Sequence, residues 1–325
     1  MPLGFGEGGA SALEAGALRR IVIEIRSILC PVELTVNSDK ALRYAAGMAR
    51  AYEAKLYILT CTESLAPAGT LPRLEASAEV RQMMERSLRQ YVDEADVGVI
   101  NWESVLVEGG NPAEAITHEA AERGVDLIVM CSRRRPLRAA ILGSTAEEVY
   151  RTAPCPTLIM HPDEREWDES LSDNLQPQRI LVAHDFSDYS ELALRYALSF
   201  AQEYQAELHL LHVLSTPVLT EPELAWGPAG TEGVYQKAAL SLKNSVPAET
   251  YMWCEVKTAV RWGRPYREIL TYAAEQNIDL ISLGARGSNF GVYALLGSNV
   301  DRVLRQAPCP VLVARPLRPS HNGGA

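Results

Sequence analysis

Gly284-Ala285-Arg286-Gly287, separated by nine residues from Gly297-Ser298, has the make-up of a loop that wraps an anion. Such a loop turns its backbone N–H groups inward, often at positive φ, and lets phosphate oxygens approach without a Cβ in the way. Ser298 and Asn299 then open a helical pattern whose free N–H groups and positive dipole end suit the same ligand. Ala183-His184-Asp185 ends an apolar run and puts a carboxylate at its tip, where it could accept hydrogen bonds from a ribose or an adenine amino group. Asp185 could equally cap a helix starting near Ser187. Arg286 is either a phosphate contact or a solvated loop residue. His184, His209 and His212 read as strand-end or core histidines rather than ligands. No side chain near the glycines is placed to act as general base or nucleophile, no GKS or GKT follows them and no GxSxG occurs, so no catalytic residue is expected.

These residues belong to the second copy of a repeat. Ala41-Leu42-Arg43-Tyr44-Ala45 returns as Ala193-Leu194-Arg195-Tyr196-Ala197, and Leu142-Gly143-Ser144 returns as Leu296-Gly297-Ser298. Ala153-Pro154-Cys155-Pro156 returns as Ala307-Pro308-Cys309-Pro310. Matched order at such a long period means a duplicated domain rather than a solenoid unit. The first copy has lost the chemistry: Glu33 stands for Asp185, Cys131 and Arg134 replace the two leading glycines, and the loop is one residue shorter. It is not expected to hold a ligand in the same way. Arg133, Arg134, Arg135 and Arg138 crowd that loop, either as a solvated face or as a contact for an anion or acidic partner.

The 325 residues suffice for two domains with a core each, and 47% hydrophobic against 22% charged residues is ordinary for a globular chain. A net charge of −10 argues against nucleic acid as partner, because polyanions are repelled. No apolar run approaches the roughly 20 residues of a membrane span. No secretory leader is evident either, so a cytoplasmic location without membrane attachment is expected. The six cysteines form no CxxC pair and are expected to be reduced, mostly buried thiols, with no protein metal site. Gly4-Phe5-Gly6-Glu7-Gly8-Gly9 formally matches GxGxxG, but no strand precedes it, so it carries no dinucleotide chemistry.

The elements that must position the site alternate short apolar runs with helical patterns. In the second half the strands are expected at Ile180 to His184, Glu207 to Val213, Met252 to Val260, Asp279 to Leu283 and Val311 to Ala314. Helices fall at about Ser187 to Tyr204, Thr231 to Asn244, Pro265 to Gln276 and Ser298 to Gln306. Prolines 217, 222 and 228 with three glycines make Ser215 to Gly233 a loop rather than a continuous helix. In the first half the strands are Ser27 to Glu33, Lys55 to Thr62, Asn101 to Val107, Asp126 to Cys131 and Thr157 to Met160, with a helix over Leu74 to Ala95. Runs as continuous as Ile180-Leu181-Val182 predict α/β architecture with a parallel sheet covered on both faces. The acidic, aperiodic stretch at 163–177 reads as a solvated linker between a domain at 21–162 and another at 178–317, with tails at 1–20 and 318–325.

The GxxGx(9)G[ST] pattern, the first strand ending in Asp and the closing Ala-Pro-Cys-Pro before an apolar strand resemble the universal stress protein family over Ile28 to Pro162 and Ile180 to Pro316. The resemblance implies two tandem Rossmann-like domains of the adenine nucleotide alpha hydrolase type, each a five-stranded parallel sheet with helices on both faces. It implies ATP with Mg2+ or Mn2+ in the second domain. Adenine and ribose contacts would fall on Ala183, His184, Asp185, Val213 and Leu283, and phosphate contacts on Gly284, Arg286, Gly287, Gly297, Ser298 and Asn299. The function implied is an ATP-binding sensor or regulator of a stress response, with at most slow hydrolysis. The alternative is a nucleotide-independent module that docks a protein partner. Single-domain members pair as dimers, so this chain is expected to enclose its own dimer, with the strands near Thr157 and Val311 meeting at the joint; a further homodimer stays open.

Overall fold

The structure, a computed structural model, describes residues 23–33, 36–62, 81–89, 100–132, 142–161, 164, 167, 176–215, 228–287 and 298–317. The two expected tails, the Gly4–Gly9 run, arginines 133–138 and Gly297 lie outside the described residues. The first half runs β1 (Ser27–Pro31), α1 (Val36–Ala51), β2 (Lys55–Thr62), α2 (81–89), β3 (Trp102–Glu108), α3 (Pro112–Glu122), β4 (Leu127–Cys131), α4 (Ser144–Thr152) and β5 (Thr157–Met160). The second runs β6 (Arg179–Ala183), α5 (Asp188–Tyr204), β7 (Glu207–Leu214), α6 (Pro228–Ser245), β8 (Val256–Trp262), α7 (Pro265–Glu275), β9 (Leu280–Gly284), α8 (Ser298–Gln306) and β10 (Val311–Ala314).

Within each half all strand pairs are parallel, and the order across the molecule is β3-β2-β1-β4-β5-β10-β9-β6-β7-β8. Order reverses between β1 and β4 and again between β6 and β9, the places where an open α/β sheet leaves a crevice beyond its strand ends. The halves do not keep separate sheets. β5 and β10 pair antiparallel, with Val311 opposite Ile159, Leu312 opposite Leu158 and Val313 opposite Thr157, which makes one ten-stranded sheet. The joint falls on the two strands that the repeat points to.

Both faces of the inner strands are buried, which is why Ile180, Leu181 and Val182 can be apolar in succession. One face packs on α1, α2, α5 and α6, the other on α3, α4, α7 and α8, and each cluster runs through both halves. Helix starts follow local chemistry: Asn111 caps α3 ahead of Pro112, and Ser187 caps α5 by accepting from Ser190 N.

Two expectations change. Helix α6 begins at Pro228, so Gly230 and Gly233 lie inside it; proline is tolerated in a first turn, where its missing N–H has no intrahelical acceptor. Residues 216–227 of the expected loop lie outside the described residues. The acidic stretch is not wholly solvated either. The Glu164 side chain is fully buried beside Lys40, whose Nζ donates to the carbonyls of His161 and Glu164. Trp167 is buried against Tyr44, with ring centroids 4.5 Å apart, and its Nε1 donates to Asp279 O at 2.9 Å.

Candidate functional site

A cleft of about 250 Å3 opens at the carboxyl ends of β6, β7 and β9. It lies at the second half's reversal of strand order, where Ala183 pairs with Leu283. β6 and the turn after it contribute Ala183, His184 and Asp185, and β7 contributes Val213. β9 contributes Leu283 and Gly284, followed by Arg286 and Gly287, and α8 contributes Asn299. Nine of the eleven expected residues therefore meet in one place. Ser298 opens α8 but is exposed and does not line the cleft, and Gly297 is outside the described residues. The walls also include His212, Pro265 and Ile269. Pro265, at the first position of α7 right after Gly263-Arg264, was the available signal for that wall.

The turn after β6 is built around Asp185. Its Oδ1 accepts from Ser187 N at 3.1 Å and from Ser187 Oγ at 2.6 Å, while Ser187 Oγ accepts from Ser190 N at 3.2 Å. Ser187, not Asp185, is thus the helix cap, and the carboxylate orients it. Phe186 between them has φ +63°, a left-handed conformation costly for a residue with a Cβ, and its exposed ring lies 4.6 Å from that of His212.

The glycines serve close approach rather than an unusual turn. Neither Gly284 nor Gly287 has positive φ, contrary to the expectation for a phosphate cradle. A Cβ on Gly284 would stand 2.7 Å from the carbonyl carbon of Tyr189, so this glycine lets β9 pack on the first turn of α5. A Cβ on Gly287 would stand 2.7 Å from Asp185 Oδ2, so this one lets the loop and the carboxylate share the cleft.

The histidines divide as their surroundings dictate. His184 is buried; its Nδ1 accepts from Phe186 N at 3.2 Å, which leaves the hydrogen of the neutral ring on Nε2, 3.2 Å from Glu191 Oε1. Burial holds its pKa below the usual value, against the pull of Glu191. His212 Nδ1 donates to His184 O at 2.7 Å. His209 is a core residue between Tyr272 Oη and Glu207, away from the cleft, and its pKa is lowered by burial as well. Arg286 is exposed, its guanidinium 5.9 Å from the Tyr189 ring.

In the first half the repeat puts Cys131 at the place of Gly284, with its side chain partly buried against the core. Ser132 Oγ there accepts from Gly143 N at 3.0 Å, closing the loop base on itself.

A model of the universal stress protein family matches residues 24–161 and again 177–315. The universal stress protein Rv2005c of Mycobacterium tuberculosis is 30% identical over 213 residues, 65% of this chain, and that match spans only 64% of the relative's own length. A universal stress protein of Mycolicibacterium smegmatis is 26% identical over 298 residues, covering 89% of this chain and 97% of the relative. Among solved structures, a universal stress protein from Archaeoglobus fulgidus superposes with a TM-score of 0.60 at 22% identity over 90% of this chain and 99% of that one, a likeness of fold.

Proposed function

The chain belongs to the universal stress protein family, matched once in each half, and from that premise we propose that the cleft of the second half binds ATP and that the protein acts as a cytoplasmic sensor or regulator through occupancy rather than turnover. The observation that carries this reading is the meeting of Asp185, the Gly284–Gly287 segment and the amino end of α8 in one cleft. Val213, Ile269 and Leu283 supply the apolar wall that an adenine ring needs, and Asp185 the acceptor for a ribose hydroxyl. Arg286 and the first N–H groups of α8 offer positive charge to phosphate, each charge-assisted hydrogen bond contributing about 1.5–3 kcal/mol. The divalent cation, Mg2+ or Mn2+, would ride mainly on the phosphates: among the described residues no three His, Cys, Asp or Glu side chains converge to hold it. The first half, with Cys131 in its loop, serves as the structural partner across the β5–β10 seam.

Titration calorimetry of the full chain with MgATP tests this. One site per chain is expected, lost in Gly287→Glu, whose carboxylate would crowd Asp185 and repel phosphate. At a ligand concentration about 100 times Kd, ATP should stabilise the chain by about 2.7 kcal/mol and raise its melting midpoint. Two equal sites, or none, would refute the reading.

A further inference from the structure

Where α7 and α8 enter the cleft, the chain gathers guanidinium groups. Pro265 and Ile269 of α7 and Asn299 and Val300 of α8 line the cavity. Beside them stand Arg264, the residue capping α7, Arg267 in its first turn, and Arg302, one turn along α8 from Asn299. Two of them meet on Tyr266: Arg267 Nε donates to its Oη at 2.9 Å and the Arg302 guanidinium lies 4.7 Å from the ring centroid, with Arg264 two residues before the tyrosine. The hydrogen bond from Arg267, with help from Arg264 and Arg302, holds the phenol below its usual pKa, as expected where an anion is favoured.

Several arginines elsewhere are matched to carboxylates: Arg123 with Glu103 and Glu119, Arg151 with Glu147 and Asp301, Arg261 with Glu268 and Glu275. Arg264, Arg267 and Arg302 have no carboxylate partner among the described residues. Partners are not scarce, since the chain carries 41 acidic against 31 basic side chains. Three like charges held together without a counterion repel one another, and a multiply charged anion relieves that repulsion. A single phosphate near Gly287 leaves the rim unused, whereas a longer phosphate chain can extend toward it.

We propose that Arg264, Arg267 and Arg302 form a terminal-phosphate subsite at the mouth of the cleft, so that the protein selects adenine nucleotides by phosphate number and prefers triphosphates and longer over AMP or cyclic monophosphates. Arginine suits this role because its planar fork can pair with two phosphate oxygens at once. The inference rests on the cleft being the nucleotide site.

The test is a ladder of AMP, ADP, ATP and adenosine 5′-tetraphosphate, titrated into the full chain and into the triple variant Arg264→Gln, Arg267→Gln, Arg302→Gln, whose positions are at the surface and whose melting curve checks the fold. In the unaltered chain affinity should rise at least about tenfold from ADP to ATP, the effect of one charge-assisted hydrogen bond. In the variant ATP and the tetraphosphate should lose at least that factor while AMP stays within about twofold. Equal affinity along the ladder, or an equal loss for AMP and ATP, would overturn the subsite and leave the cleft standing. Failure of every nucleotide to bind would overturn the cleft and the subsite together.

Discussion

His184 and His209 sit in the folded chain as neutral rings, because burial penalises the imidazolium more than Glu191 and Glu207 restore it. Unfolded, both would titrate near about 6.5. Their folded pKa values lie below that, so the unfolded chain takes up protons first as the pH falls. The stability they leave intact above about pH 6.5 is therefore lost on acidification through the folded pKa. Thermal melts between pH 7.5 and 5.5 should show the midpoint falling more steeply for the natural chain than for His209→Asn. Parallel curves would mean that His209 protonates as easily folded as unfolded. At this scale the spacing of glycines was legible and their use was not. Gly284 answers to the backbone of Tyr189, and Gly287 to the carboxylate of Asp185, contacts between segments about a hundred residues apart that no local pattern encodes. Phe186, too, reads as an ordinary turn residue until its left-handed backbone and its contact with His212 are seen.

Among the elements, strands were the most readable, because a parallel sheet buried on both faces demands runs such as Leu280 to Leu283 that are almost wholly apolar. The third strand of the second half starts at Val256 rather than Met252, since a 3-10 turn over Ala248–Met252 takes up the approach. Least readable was the acidic stretch, where one aromatic among carboxylates gave no period to detect. Trp167 nevertheless acts as an anchor. Its ring lies against Tyr44 of α1 and 6.1 Å from that of Tyr204 of α5, and its backbone N–H donates to Tyr44 Oη at 2.9 Å. Helices of both halves are thus fastened through one side chain. Replacing it with alanine should cost about 3–5 kcal/mol, the range for a buried aromatic, whereas Trp167→Phe loses mainly the Nε1 bond to Asp279 O, about 1 kcal/mol. Denaturant midpoints of the two variants measure the difference. A loss under about 1 kcal/mol for the alanine variant would return the segment to the status of a loose linker.

Across the whole molecule the duplication explains why the halves join as they do. Two copies related by a twofold axis normal to the sheet must present the same strand to each other, and that strand must pair antiparallel with its copy. The residues just beyond those strands repeat the logic. His161 follows β5 and places Nε2 2.6 Å from Leu304 O near the carboxyl end of α8. Its counterpart in the repeat, Arg315, follows β10 and donates to the carbonyls of Tyr150, Arg151 and Ala153 at the carboxyl end of α4. A helix end with unpaired carbonyls favours a donor, and a cation most of all. Around them Arg151 pairs with Asp301 and Arg305 with Glu147, each bond crossing from one half to the other. Arg315 is the stronger of the two latches, being always charged and 7% exposed. Arg315→Ala would leave three carbonyls, two of them buried, without this donor, and the cost should be about 3 kcal/mol, concentrated at the seam. Native-state hydrogen exchange can locate it: amides of β5 and β10 should exchange faster in the variant, while those in β1 and β6, one strand or more removed, keep their protection relative to global unfolding. Uniform acceleration throughout the sheet would instead show that the seam opens only when the entire chain unfolds.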